Sequence, residues 1–125
     1  MTVPLLAKQG ILEAIATFIL VFVGAGAIIA NAQTDGASGL IGIALAHGLA
    51  IFVGVAATGH ISGGHLNPSV TAALCVRNIP GFPISDRPMV VMYFVSQYLG
   101  GIMGGLTAWI IGGDEAAAKY PTVWQ

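Results

Sequence analysis

The sequence predicts an all-α integral membrane protein with three transmembrane helices and one re-entrant half-helix. Of its 125 residues, 56% are hydrophobic and only 7% are charged, and the mean hydropathy is +0.88. A soluble domain normally carries about 25% charged residues, so this composition indicates a chain that lies in a bilayer. Three apolar runs, at residues 11–30, 39–57 and 89–112, each approach the roughly 20 residues that a crossing requires.

The first apolar run carries an acidic residue near its start. Glu13 and Thr17 lie one turn apart and share a face of the predicted helix. A buried carboxylate needs several hydrogen-bond donors, so we expect Glu13 to have polar partners elsewhere in the chain.

Small residues spaced four apart predict close approach between helices. Three pairs have this spacing, two in the third run and one in the second: Gly100 with Gly104, Gly101 with Gly105, and Ala44 with Gly48.

A polar, glycine-rich segment, residues 59–71, separates the second and third runs. Irregular backbone cannot face lipid and is tolerated only when it is buried in protein or lines a water-filled cavity. Asn67 is a good N-cap, and Pro68 suits the first helical position. Residues 69–75 can continue as helix, so the segment predicts a re-entrant half-helix aimed at a pore.

The tripeptide Asn67-Pro68-Ser69 resembles the first signature motif of the aquaporins and glycerol facilitators, the major intrinsic protein family. Most members of that family have Asn-Pro-Ala at this place. Further similarities extend over nearly the whole chain: Glu13 with Thr17, Ala46-His47-Gly48, and Gln97-Tyr98-Leu99-Gly100. The resemblance implies one inverted repeat of the aquaporin fold, with residues 1–125 as the N-terminal half of a channel domain.

The resemblance also implies a role for the half-helix. The Asn67 side-chain amide would donate a hydrogen bond to passing water, at the positive end of the helix dipole. Gly63, Gly64 and His65 would precede it in extended backbone, with carbonyl oxygens lining the path. Two plainer interpretations remain: Asn67 only caps a short helix, and the glycines form a tight turn with positive φ. The turn is compatible with the carbonyl lining.

His47 lies inside the second apolar run, where an ionisable residue is costly and usually faces a cavity. In the family the matching position belongs to the selectivity filter, and histidine there is similar to plant tonoplast-type channels, some of which pass ammonia or urea. The alternative is a histidine hydrogen-bonded between helices. Ile51 lies one turn further on the same face. The family's filter arginine follows the second signature motif, and the equivalent position after the first motif is Val70 here.

The expected function is passive transport of water, with ammonia, urea and glycerol as further candidate solutes.

Charge indicates how the chain is oriented. Lys8, Arg77 and Arg87 fall on one side of the predicted membrane and Lys119 on the other, so the positive-inside rule predicts a cytoplasmic N-terminus.

The chain alone lacks the second motif and its arginine, so it needs a second half-channel repeat. It is a fragment of a longer channel, a split half-channel, or an antiparallel homodimer, and the charge bias favours the first two. The family's assembly implies a homotetramer for the complete protein.

Two other classes of protein compete with the channel. A membrane enzyme would need a nucleophile–base pair or a metal cluster, and the sequence has none; His60 and His65 lack a third ligand. We therefore expect no metal, no cofactor and no catalytic residues, and the net charge of −1 gives no reason to expect nucleic-acid binding. A structural membrane subunit, or a half-channel without transport of its own, is the remaining alternative.

Overall fold

The computed structural model describes residues 4–77 and 87–119, and of residues 115–117 and 119 it describes only the backbone. Within these residues all regular structure is helical, which confirms the predicted fold class. Four helices follow one another along the chain: α1 (Leu5–Gln33), α2 (Gly39–Ser62), α3 (Pro68–Arg77) and α4 (Arg87–Lys119).

Three of the helices are long and apolar enough to cross a membrane. They are α1 with 29 residues, α2 with 24, and the first 28 residues of α4. The remaining helix, α3, has 10 residues, or about 15 Å at 1.5 Å per residue, half the thickness of a bilayer core. The three predicted spans and the half-helix are therefore all present.

Each long helix extends beyond its apolar run, because backbone hydrogen bonding continues into the polar interface. α2 continues five residues past residue 57 and ends at Ser62. The next residue, Gly63, has φ +91° and donates its N–H to the Gly59 carbonyl oxygen at 3.1 Å, which closes the last turn. A left-handed C-cap of this kind favours glycine.

α1 lies between α2 and α4 and contacts both. It runs parallel to α4, since Gly10 faces Ser96 and Ala14 faces Gly100 further along both helices. α3 begins beside the middle of these two helices.

Glycine brings α1 and α4 into backbone contact. A Cβ at Gly100 would lie 2.1 Å from the Ala14 carbonyl oxygen, and one at Gly104 would lie 2.6 Å from the Phe18 carbonyl oxygen. The predicted close approach is thus confirmed for this pair. The other two pairs show none among the described residues: the nearest atoms to a Cβ at Gly101 are at 3.8 Å, and Gly48 has nothing within 4 Å.

Candidate functional site

Glu13 is the centre of a fully buried polar cluster that joins α1, α4 and the segment between α2 and α3. Its Oε1 accepts hydrogen bonds from Ser62 Oγ at 2.6 Å and from the His65 backbone N–H at 3.0 Å. Its Oε2 accepts from the Leu66 backbone N–H at 2.8 Å and from Gln97 Nε2 at 2.9 Å. A carboxylate has about four acceptor positions, so this one side chain satisfies two backbone and two side-chain donors inside the membrane.

Two further bonds hold the end of α2 against its neighbours. The hydroxyl of Tyr93, a fully buried α4 residue, donates to the Ser62 carbonyl oxygen. From α1, Gln9 Nε2 donates to the Ile61 carbonyl oxygen at 3.1 Å. Carbonyl groups at a helix end have no partner within the helix, and here side chains from α1 and α4 supply two of the missing donors.

The backbone between α2 and α3 is left-handed at both of its glycines. Gly63 and Gly64 have φ of +91° and +62°, so the backbone is not extended at these two residues and the positive-φ conformation is present. The physical reason is that the chain leaves α2 and enters α3 within five residues, which requires the left-handed region that glycine adopts readily. A lining of the path by their carbonyl oxygens, which is compatible with that conformation, remains a prediction.

Leu66 has φ +54° although it carries a side chain. That conformation costs roughly 1–2 kcal/mol. The Leu66 N–H is held by Glu13 and its side chain is buried against Gly54, where a Cβ would lie 2.4 Å from Leu66 Cδ2. The absence of a side chain at Gly54 therefore leaves the space into which Leu66 packs, just before the start of α3.

Asn67 is exposed and caps α3 with its own side chain. Its Oδ1 accepts the N–H of Ser69 at 2.8 Å, and its carbonyl oxygen accepts the N–H of Thr71 at 3.1 Å. A backbone N–H can bond only the oxygen of an amide, so the Asn67 Nδ2 group, with two hydrogens, is turned away from the helix. Pro68 occupies the first helical position, and Ser69 is exposed at the second.

An open cavity of about 430 Å³ lies beside this helix start. Its walls come from the middle of α1, the middle of α4 and the first residues of α3. The lining residues are Thr17, Leu20, Val21, Leu66, Asn67, Pro68, Gln97, Tyr98, Gly101 and Ile102. Asn67 thus lies beside the middle of α1 and α4, next to space that other protein or solute can occupy.

The side chain of His65 is directed away from this cavity into the packed interior. It is buried, its Nδ1 lies 2.9 Å from Thr71 Oγ1, and its ring meets the Tyr93 ring edge to face at 5.1 Å. Only the His65 backbone is therefore available to a pore. Among residues 4–77 and 87–119 no three metal-binding side chains lie together.

His47 packs against α1 rather than standing free. A Cβ at Gly24 would lie 2.4 Å from His47 Nε2, and Nδ1 lies 2.9 Å from the Ile43 carbonyl oxygen of the same helix. The ring is half-buried, and Ile51 one turn away is exposed. His47 thus lies at the edge of the α1–α2 contact, next to the side of α2 that is exposed.

Two predicted residues lie near the segment without joining its hydrogen bonds. Thr17 is buried and lines the cavity, but its Oγ1 has no hydrogen-bond partner in the described part of the chain. Val70 is exposed on α3. Support of the segment by Thr17 remains a prediction.

Comparison with known proteins agrees with these features. The sequence model of the Major intrinsic protein family matches residues 1–120. The chain belongs to this family. Its relatives include aquaporin NIP1-1 of Arabidopsis thaliana, 38% identical over 95% of this chain and 39% of the relative. A probable aquaporin TIP1-2 of Oryza sativa subsp. japonica is 42% identical over 94% of the chain and 46% of the relative.

A bacterial relative, aquaporin Z of Photorhabdus laumondii, is 36% identical over 88% of the chain and 46% of the relative. The chain therefore spans less than half the length of these relatives. Membership of the family, together with three apolar helices, makes this an integral membrane protein.

Sequence reasoning missed three members of the polar cluster, Ser62, Thr71 and Tyr93. A signal for two of them was present. Tyr93 lies one turn before Gln97 in an apolar run, and polar residues at that spacing inside a membrane need a common set of partners. Thr71 follows Asn67 by four residues, so the predicted cap at Asn67 already placed Thr71 in the first turn of α3.

Proposed function

We propose that this chain forms one half of a transmembrane channel for water, with the solute path running past Asn67. The supporting observation is the direction of the Asn67 amide. Its Oδ1 is occupied by the Ser69 N–H at 2.8 Å, so Nδ2 is the part of the amide that can meet a solute. A donor beside the positive end of the α3 dipole binds a water oxygen and opposes cations and protons.

The path continues, in this proposal, along the turn before Asn67. Carbonyl groups at Gly63, Gly64 and His65 would accept hydrogen bonds from water, while exposed Ile51 and Val70 would form apolar wall. Alternating donors, acceptors and apolar surface suit a pore that passes small uncharged solutes.

His47 is proposed as a filter residue that admits ammonia or urea as well as water. Its position at the edge of the α1–α2 contact, half-buried beside exposed Ile51, leaves part of the ring able to face a path. In a complete channel, His47→Phe should preserve water flux and lower ammonia flux, measured in proteoliposomes with an internal pH dye. Unchanged ammonia flux would exclude His47 from the filter.

The complete channel requires a second repeat that covers the cavity beside Asn67 and Pro68. Left open to lipid, the polar groups there would cost several kcal/mol each, and the chain spans only 39–46% of three relatives. We further propose a homotetramer, to be tested by native mass spectrometry, where a monomer only would contradict it.

The N-terminus is proposed to be cytoplasmic, because Lys8 lies in the first turn of α1 and Arg87 begins α4, and the positive-inside rule assigns such charges to the cytoplasmic side. With Cys75 replaced by serine, a cysteine at Asp35 should react with an impermeant reagent from outside. A cysteine at Lys8 should react only from inside, and the reverse pattern would invert the orientation.

Osmotic shrinkage of proteoliposomes tests the function itself. A complete channel, this chain with its second repeat, should shrink liposomes faster than empty ones with a low activation energy. The 125-residue chain alone should give no flux above empty liposomes. Flux from the chain alone would favour an antiparallel homodimer, and no flux from the complete channel would favour a structural membrane subunit.

A further inference from the structure

Thr71 is the only buried side chain of α3, and it is polar. A helix of ten residues is marginal by itself in water, and such a helix is usually fixed by an apolar face against its neighbours. Here the first turn of α3 is instead fixed by a hydroxyl with no solvent exposure. The position of the helix start therefore depends on what that hydroxyl bonds.

Three residues surround the Thr71 hydroxyl. Oγ1 is 2.9 Å from His65 Nδ1 and 3.0 Å from Gln97 Nε2. It is also 3.3 Å from Gln97 Oε1 and 3.4 Å from the Asn67 carbonyl oxygen. A hydroxyl has one hydrogen and two lone pairs, so these contacts compete and their roles can be assigned.

Gln97 fixes one of those roles. Its Nε2 lies 2.9 Å from Glu13 Oε2 and 3.0 Å from Thr71 Oγ1, so both amide hydrogens are used. Thr71 therefore accepts from Gln97 Nε2, and its own hydrogen has three acceptors in reach: His65 Nδ1, Gln97 Oε1 and the Asn67 carbonyl oxygen. If Nδ1 carries no proton, it accepts the Thr71 hydrogen. If Nδ1 carries a proton, it donates to Thr71, and the hydroxyl hydrogen goes to Gln97 Oε1 or to the Asn67 carbonyl oxygen.

We propose that Thr71 is a positioning residue for Asn67. Glu13 holds the backbone before Asn67 through the N–H groups of His65 and Leu66. Thr71 holds the helical turn after Asn67 through its hydrogen bonds with His65 and Gln97. With one attachment on each side, the cap residue keeps one orientation and its Nδ2 group stays directed at the solute path. This inference rests on the proposed channel function.

The test compares Thr71→Val, which keeps the shape and removes the hydroxyl, with Thr71→Ser, which keeps the hydroxyl. In the complete channel, Thr71→Val removes the hydrogen bonds of the hydroxyl to Gln97 and His65, so water permeability per folded channel should fall by about fivefold or more. The number of cations that leak for each water molecule passed should rise. Thr71→Ser should restore both. A residue that only supports folding would change the amount of channel and not the leak ratio.

Nitrogen-15 NMR of the His65 ring gives a second readout that does not depend on transport. The Nδ1 resonance should shift in Thr71→Val and return in Thr71→Ser. If Thr71→Val does not fold, Thr71→Cys, with its weak hydrogen bond, should show an intermediate leak ratio.

The two possible failures are distinguishable. A wild-type channel without water flux overturns the proposed function. The positioning role of Thr71 is overturned if the wild-type channel conducts water and Thr71→Val, or Thr71→Cys, has the same water flux and the same cation leak.

Discussion

The two halves of the α1–α4 contact are held together by different chemistry. In the half where both helices begin, Glu13 and Gln97 join a hydrogen-bonded cluster that also binds the segment before α3. In the other half, Ile29 and Ala108 form an apolar cluster and Gly104 lets the helix backbones approach closely, with a long hydrogen bond of 3.4 Å from Gln33 Nε2 to the Gly112 carbonyl oxygen. The comparison teaches that the polar half places the functional segment, while the apolar half only holds two helices together.

The largest effect is expected at the centre of the polar half. Glu13→Ala leaves four buried donors without their acceptor, and each costs about 1–3 kcal/mol, so the loss is on the order of 4 kcal/mol or more. Unfolding by SDS titration in detergent measures it, with Ile11→Ala on the exposed side of α1 as control. Equal losses in the two variants would mean that the cluster contributes no special stability.

The next effect separates the glycines of α4. Gly100→Ala places a Cβ 2.1 Å from the Ala14 carbonyl oxygen, whereas Gly101→Ala meets nothing nearer than 3.8 Å. Forcing the backbones apart should cost about 1–3 kcal/mol or more, and the neighbouring variant should be close to wild type. The same unfolding assay measures both variants, and similar losses of stability at both positions would contradict the backbone contact between α1 and α4 at Gly100.

A smaller loss of stability with a clear loss of transport is expected at Gly54. A Cβ there meets the end of the Leu66 side chain at 2.4 Å, and a flexible side chain can move at a cost of about 1–3 kcal/mol. Because Leu66 precedes Asn67, water flux per channel should fall. Gly48→Ala on the same helix is the matched control, because an added Cβ there has no atom within 4 Å. Equal water flux in the two variants would mean that the position of Leu66 does not affect the pore.

Much of the fold could be predicted from the sequence, because hydropathy over about 20 residues reports a membrane span directly. The cap at Asn67 and the helical start at Pro68 are also local features, encoded by adjacent residues. The helix ends were less predictable: α1 extends to Gln33, beyond its apolar run, since polar residues can still be hydrogen-bonded as helix.

The polar cluster could be predicted only in part. The need of Glu13 for donors follows from its chemistry, but Gln97 lies 84 positions away in the sequence, and no local pattern fixes such a partner. The conformation of Leu66 was also out of reach, because a positive φ at a leucine is imposed by the Glu13 bond and by the space at Gly54. Only the packed structure contains both.

The central claim is that the Asn67 amide, held by this cluster, meets the solute. Asn67→Asp retains an oxygen for the Ser69 N–H and therefore the helix cap, but it replaces the Nδ2 donor with a negatively charged oxygen. Ser69→Ala is the control, since the backbone N–H of Ser69, and not its hydroxyl, makes the cap bond. Both variants are to be compared as complete channels in proteoliposomes, per folded protein.

Stopped-flow water flux measured together with potassium leak is the most direct test. Asn67→Asp should conduct less water and exclude cations less strictly, because the donor is lost and a negative charge stands at the positive end of α3. Ser69→Ala should behave as the unmodified channel. An Asn67→Asp channel that folds, passes water at the unmodified rate and still excludes potassium would contradict the account.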